Sequence, residues 1–431
     1  MPEAYDISLN GQGYMVAPGS YRRGLDATGP VGGAPARQVQ RAWGGGALQA
    51  LQADGDRCWT SVGLLPLPGG GAVGPGPREI SVTIAGLAAT AARYGVICGG
   101  RPYVAVGTAL WQIDQAGAGV NPGNLGGATQ LGAAVTGGAT GLATDGVDRL
   151  FVSRAGGPYW VWTVGGGSFD TTPTLVFNGV AYFDGALWGL GSPVEPSRLL
   201  RATSPTAVDP AGWTLDSPPR AAAVASDGLY VGTAGALWRV RASNGGYEVA
   251  PVVAGAAGPD DFGALVDFGG EVYTWYGGQV MRHRVTAAGA AALVPTGLRG
   301  TSCGGLAVAS GRLIATVTDA PGTPGAALWA YDGAGWWCLA RDNDGLHDYS
   351  APLSGAGYCD DADLLCWAFG QQTLFGYQLQ SRVAQPGLAA GGELTTALWC
   401  GSDPDQEKAW VRVGAELAWP GGDWAANPTV T

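Results

Sequence analysis

Lysine is nearly missing from this chain: Lys408 is the only one, and 34 carboxylates outnumber 23 basic residues for a net charge of −11. No basic stripe exists, so binding of nucleic acid through phosphate contacts is not expected. Imidazoles are equally scarce, with only His283 and His347. No apolar run reaches membrane-spanning length, and the start, Met1-Pro2-Glu3, lacks the charged-then-apolar pattern of a signal peptide. The expectation is a soluble protein without membrane contact, made in the cytoplasm without export. Amphipathic stretches of ten residues or more are also missing, which argues against helices. The seven cysteines show no CxxC pair or regular rhythm. Several fall in β-type runs, where a thiol acts as a small hydrophobe, so buried free cysteines are expected rather than disulfides or a metal site.

Glycine and proline are the excess, at 76 and 28 of 431 residues. That level raises the question of disorder, but 46 % apolar residues and 17 tryptophans supply a core. Turn-dense β structure accounts for the glycine. The exceptions are Gly69–Pro77 and Gly117–Gly127, which read as loose connectors.

The tripeptide Ala-Leu-Trp occurs five times, at Ala109–Trp111, Ala186–Trp188, Ala236–Trp238, Ala327–Trp329 and Ala397–Trp399. Most copies begin with a tight turn, continue into a short β run, turn again and end in the tryptophan strand. Asp227-Gly228 leads to Leu229–Val231 and then Leu237–Val240; Asn178-Gly179 leads to Val180–Phe183 and then Leu187–Leu190. Asp-Gly and Asn-Gly suit two-residue hairpins because both central residues tolerate positive φ. Degenerate copies fill the gaps, one with a Pro-Gly insertion at Pro321–Gly325. The anchors Gly100, Gly146, Gly179, Gly228, Gly270, Gly311 and Asp361 stand 46, 33, 49, 42, 41 and 50 residues apart. Their mean, about 43, is that of a four-stranded propeller blade. The fold class is therefore all-β, a β-propeller of about seven four-stranded blades, with six left open.

Three regions follow: an N-terminal extension, 1–78, containing a hairpin at Ile7–Val16; the propeller, 79–388; and a C-terminal β segment, 389–431. Arg78–Ile84 reads as a strand that enters or closes the ring. The extension has little core of its own and is expected to lie against a neighbouring subunit. In the last region Leu394–Cys400 and Ala409–Leu417 read as two strands around a polar loop. Two strands cannot bury a sheet face, so they must pack on the propeller or a partner, or begin a β-sandwich.

Candidate chemistry is thin. His283 sits in Met281-Arg282-His283-Arg284, an alternating run that predicts an exposed strand residue. His347 shares a polar loop with Asp342 and Asp344 that could offer oxygen ligands to calcium, but the spacing is not that of an EF-hand. Asp360, Asp361 and Asp363 form a second acidic turn, read as hairpin chemistry. Asp260-Asp261 has no assignable partner for glycoside hydrolysis. The Ser-x-Asp-x-Gly-x-x-Trp box of sialidases is absent, since Ser226-Asp227-Gly228 has the wrong continuation. Gly165–Gly167 lacks the strand–loop–helix setting of a phosphate loop. The repeated tryptophans could stack on sugars, but matched blade positions make them core wedges. No catalytic, cofactor-binding or metal-ligating residue is assigned, and the chain is read as a non-enzyme.

The run from Ile7 to Arg22, Ile-Ser-Leu-Asn-Gly-Gln-Gly-Tyr-Met-Val-Ala-Pro-Gly-Ser-Tyr-Arg, resembles the opening of propeller-containing structural proteins of tailed bacteriophages. Cys400–Val413, with Ser402, Asp403 and Lys408 ahead of an alternating strand, is similar to the segment after the propeller in such tail proteins. The resemblance implies a virion component assembled in the host cytoplasm: a tail, baseplate or nozzle-associated scaffold. It implies other virion proteins as partners in a symmetric assembly, with no residue role carried over. A propeller that binds a host-surface glycan or receptor is the alternative, and a glycan hydrolase or lyase the less favoured one.

Overall fold

The computed structural model describes residues 7–9, 12–14, 46–47, 57–58, 60–62, 64–66, 73–75, 77–83, 93–113, 128–132, 134–255, 258–285, 291–320, 323–342, 349–354, 362–370, 373–381 and 393–395. Among these residues every regular element is a strand. Seven of the sheets they form follow one another in chain order as antiparallel blades, whose strands are lettered A to D from the centre outward.

Blade 1 comprises Arg93–Cys98, Arg101–Val106, Ala109–Ile113 and Ala128–Leu131; blade 2 comprises Ala139–Thr144, Arg149–Arg154 and Gly157–Thr163. In blade 2 the outer strand is reduced to one bridge, Val161 to Asp170. Blade 3 has Val180–Phe183, Ala186–Leu190 and Arg198–Ser204, with its outer strand split into Ala207–Val208 and Trp213–Thr214. Blade 4 has Ala221–Ala225, Gly228–Gly232, Ala236–Ser243 and Gly246–Ala254; blade 5 has Leu265–Phe268, Glu271–Tyr276, Gln279–Val285 and Ala291–Arg299. Blade 6 has Ser302–Ala309, Arg312–Ala320, Thr323–Tyr331 and Trp336–Arg341. Blade 7 takes Ser350–Ser354, Ala362–Phe369 and Thr373–Ser381 from the end of the ring and Arg78–Thr83 from before its start. Each A strand neighbours the next around the circle, and that of blade 7 meets that of blade 1, so the ring is closed.

The core lies between blades, and strand alternation builds it. In blade 6, Leu313, Ala315, Val317, Ala327, Trp329, Trp336 and Cys338 face blade 5. Their neighbours Ile314, Leu328, Ala330, Trp337 and Leu339 face blade 7. Both faces of a blade are therefore buried, which is why these strands read as nearly continuous apolar runs. Trp188 wedges between blades 3 and 4 and Trp329 between blades 5 and 6, both fully buried.

One anchor is out of phase with the expected repeat. Gly179 precedes strand A of blade 3, and the A–B hairpin turn is Asp184-Gly185, with φ of 50° and 72°. Ala186–Trp188 consequently lies on strand B there, whereas the copies at 109, 236 and 327 lie on strand C. Gly185 is 39 residues after Gly146 and 43 before Gly228, which removes the irregular spacing around Gly179. Other expectations also shift. Val73–Pro75, inside a presumed connector, pairs with Leu64–Pro66, and Thr323 and Gly325 in the Pro-Gly insertion belong to strand C of blade 6. Gly117–Gly127 and Ala397–Trp399 lie outside the described residues.

Candidate interaction surfaces

A propeller offers two loop faces and a rim. At the rim of blade 6, Thr60–Val62 adds parallel to Trp336–Arg341, and Glu393–Thr395 adds antiparallel to Thr60–Val62, giving six strands. The described N-terminal chain thus crosses the outside of blade 6, makes the hairpin of Leu64–Pro66 with Val73–Pro75, and continues into the outer strand of blade 7. After blade 7 the chain returns to the same rim. Gly46–Ala47, Thr60–Val62 and Leu64–Pro66 of the 1–78 extension pack on the chain's own blade 6. The backbone of Thr60–Val62 meets the unpaired edge of strand D, and pairing satisfies donors and acceptors that an open edge leaves exposed. The closing strand is fixed by a side-chain bond as well: Tyr377 Oη donates to Glu79 Oε2 at 2.8 Å. Burial, with Tyr349 and Glu79 beside it, pushes the Tyr377 hydroxyl well above its usual pKa, so it stays a donor.

The face bearing B–C turns and D–A loops is held by carboxylates aimed at backbone. Asp261, 1 % exposed, accepts from the amides of Gly258 at 2.7 Å and Gly277 at 2.8 Å, tying a D–A loop to the B–C turn of blade 5. Asp216 Oδ1 accepts from Thr233 Oγ1 at 2.6 Å and Trp238 Nε1 at 2.7 Å. Burial raises the Asp216 pKa, but the bonds from Thr233, Trp238 and Ser217 outweigh it and hold the carboxyl below the usual value. Asp319 accepts from the amide of Gly325 and from Thr301 Oγ1. These groups are committed to shaping loops.

The opposite face carries A–B turns. Asp145 caps its own turn by accepting from the amides of Val147, Asp148 and Arg149, and pairs with Arg149 Nε at 2.8 Å. Burial raises its pKa, yet these donors together lower it. Asp184 Oδ2 accepts from Tyr247, whose ring lies 5.1 Å below the Arg201 guanidinium. Asp227 Oδ2 accepts from both Tyr230 Oη and Arg239 Nη1 at 2.9 Å. Beside that group, at the junction of blades 4 and 5, stand Asp267 and His283.

His283 departs from the exposed position predicted for it: it is 4 % exposed, its ring centroid 5.6 Å from that of Tyr230. Alternation on a propeller strand directs side chains to one blade junction or the other rather than to core or solvent. No short-range pattern marks the cluster around it, because its members come from different blades. Asp342 is placed in blade 6, where its amide donates to the Ala326 carbonyl at 2.7 Å. Asp344, His347, Asp360 and Asp361 lie outside the described residues, as does the side chain of Asp363. Among the described residues no group of three or more His, Cys, Asp or Glu is arranged to hold a metal, and no helix is long and apolar enough to cross a membrane. Cys98, Cys303, Cys338 and Cys366 are free thiols. Burial pushes Cys303 up to about 12 and raises Cys98 and Cys366. These thiols are inert core residues. Of the tryptophans weighed as sugar platforms, Trp111, Trp188 and Trp329 are buried and Trp238 is held edge-on by Asp216.

No protein-family model matches the sequence, and no curated protein matches it either. Among solved structures the chain is similar to a streptogramin B lyase, with 12 % identity, a TM-score of 0.51 and coverage of 70 % of this chain and 97 % of that one. It is also similar to virginiamycin B lyase from Staphylococcus aureus, solved as an inactive variant with quinupristin, at 11 % identity, TM-score 0.49 and 70 % and 99 % coverage. YCF48 bound to a D1 peptide aligns at 12 % identity, TM-score 0.46 and 70 % and 96 % coverage. At these identities the likeness is one of fold. The chain is a seven-bladed β-propeller.

Proposed function

We propose that this propeller is a structural component of a tailed-phage virion, a rigid tail-associated disc docked to other virion proteins by its terminal segments. The observation that carries the reading is the meeting of both ends of the ring at one place, the rim of blade 6. A disc whose chain enters and leaves at one rim position can be held there without disturbing its loop faces. The resemblance of Ile7–Arg22 and Cys400–Val413 to phage tail proteins points the same way, and the carboxylates described above serve loop shape rather than chemistry.

The test is particle composition. Phage particles from the source strain, purified by density gradient, should contain the chain, and antibody against it should decorate tails in negative-stain micrographs. Gradient-pure, tailed particles free of the chain would sink the proposal. A glycan array with the purified protein should be blank; saturable binding to a defined glycan would shift the reading to a receptor-binding propeller.

A further inference from the structure

The junction of blades 4 and 5 holds a group of polar side chains that the scaffold reading does not use. From blade 4 it takes Asp227 in the A–B turn, Tyr230 on strand B and Arg239 on strand C. From blade 5 it takes Asp267 on strand A, Glu271 on strand B and His283 on strand C. Two of their buried atoms lack a hydrogen-bond partner: His283 Nε2 and Asp267 Oδ1. The junction is otherwise apolar: Leu237, Phe262, Leu265 and Val272 are buried in its cluster with Tyr230, and Leu293, the partner of His283 across strands C and D, packs against it. A buried polar atom without a partner weakens the packing it sits in, and a buried charge without one weakens it far more.

We propose that this junction is an acid-operated latch, closed while the His283 imidazole is neutral and loosened when it takes up a proton. The surroundings decide the direction. Asp227, the carboxylate nearest in effect, is already engaged by Tyr230 and Arg239. Tyr230 cannot release it by ionising, because burial and the Asp227 bond push its hydroxyl up to about 12. Glu271 pairs with Arg282 at 3.2 Å, leaving only a distant attraction. On the imidazole's own strand the flanking residues Arg282 and Arg284 are cations. Burial therefore prevails over the attraction of Asp227 and Glu271, with Arg239 adding to it, and the pKa of His283 falls below 6.5.

The sign follows. An opened junction lets His283 protonate near 6.5, whereas the closed one resists until lower pH. Between those values the open form binds more protons, and the opening equilibrium rises with falling pH by at most about tenfold per unit. Asp267 acts oppositely: burial and then Asp227 raise its pKa, so its contribution favours the closed form in acid. That contribution is complete below the ordinary aspartate pKa and fades as pH rises through the raised one, so it opposes the His283 effect in acid, while the onset near 6.5 is set by the imidazole of the open junction.

Hydrogen–deuterium exchange on the full chain tests this at pH 7.5 and 5.5, with labelling times scaled for intrinsic amide rates. Peptides covering Gly228–Gly232 and Gln279–Val285 should open more at pH 5.5, by up to about tenfold, while strands B and C of blade 6 change little. His283→Gln and the ring-conserving His283→Phe should remove that difference. A second readout needs no variant to fold: the chain has two histidines, and one imidazole resonance should titrate below 6.5 in step with the exchange. An unchanged or better protected junction at pH 5.5 would overturn the latch, as would a pH response that survives both substitutions, or two imidazoles that both titrate at or above 6.5.

Discussion

Two tryptophans of the same repeated tripeptide have different work, and the difference is measurable. Trp188 is fully buried, 5.0 Å edge-to-face from Tyr247, with Nε1 donating to the Phe183 carbonyl at 3.2 Å. Trp188→Ala should lower unfolding free energy by about 3–5 kcal/mol, the cost of removing a large buried aromatic. Trp238 is half-buried, packs against the same core and donates to Asp216; Trp238→Phe keeps a ring in the packing and loses the bond, so it should cost about 1 kcal/mol. Equilibrium denaturation of the two variants checks the order; equal losses would contradict the wedge assignment. Asp261 makes a related point for a residue weighed at first as possible acid–base chemistry. Asp261→Ala leaves the amides of Gly258 and Gly277 without their acceptor, costing about 1–3 kcal/mol for each donor that water cannot reach. The same denaturation series reads that loss.

At the scale of the element, the turn chemistry of blade 3 separates what pattern shows from what it hides. Asn178-Gly179 and Asp184-Gly185 are both good hairpin dipeptides, and only the second makes the hairpin. Gly179 has no positive φ, and a Cβ there would meet Leu190 at ordinary contact distance. Gly185 has φ of 72°, a left-handed conformation that costs an L side chain about 1–2 kcal/mol. Gly185→Ala should therefore lower the melting temperature while Gly179→Ala leaves it within a degree or two, and a reversal would restore the phase read from sequence. The repeat was legible because each blade reuses one order of turn, strand, turn and strand. Its phase in blade 3 was not, since two competent turns lie six residues apart and local propensity cannot rank them. The junction of His283 with Tyr230, Asp227 and Asp267 was hidden for another reason. Residues that touch across blades are a whole repeat apart, and period-two alternation says nothing about which neighbour each face meets.

For the whole molecule, closure is the property most exposed to test. Arg78–Thr83 supplies the outer strand of blade 7, and the seven A strands form a circle that this strand fastens by pairing with Thr373–Ser381. Removing residues 1–83 takes away that strand and bares the edge of Thr373–Ser381, an aggregation-prone state for a nine-residue strand. Removing residues 1–56 spares both the closing strand and Thr60–Val62. The shorter truncation should elute at the size of the intact disc and melt cooperatively. The longer one should melt lower and self-associate on size-exclusion chromatography. If both truncations behaved like the full chain, blade 7 would be stable with three strands and the closing strand would belong to docking rather than to the ring. Truncation after residue 392 adds the complementary case: it removes Glu393–Thr395 but leaves all seven blades paired. That variant should keep the melting temperature of the disc, and if the rim of blade 6 is the docking point, it should no longer enter phage particles.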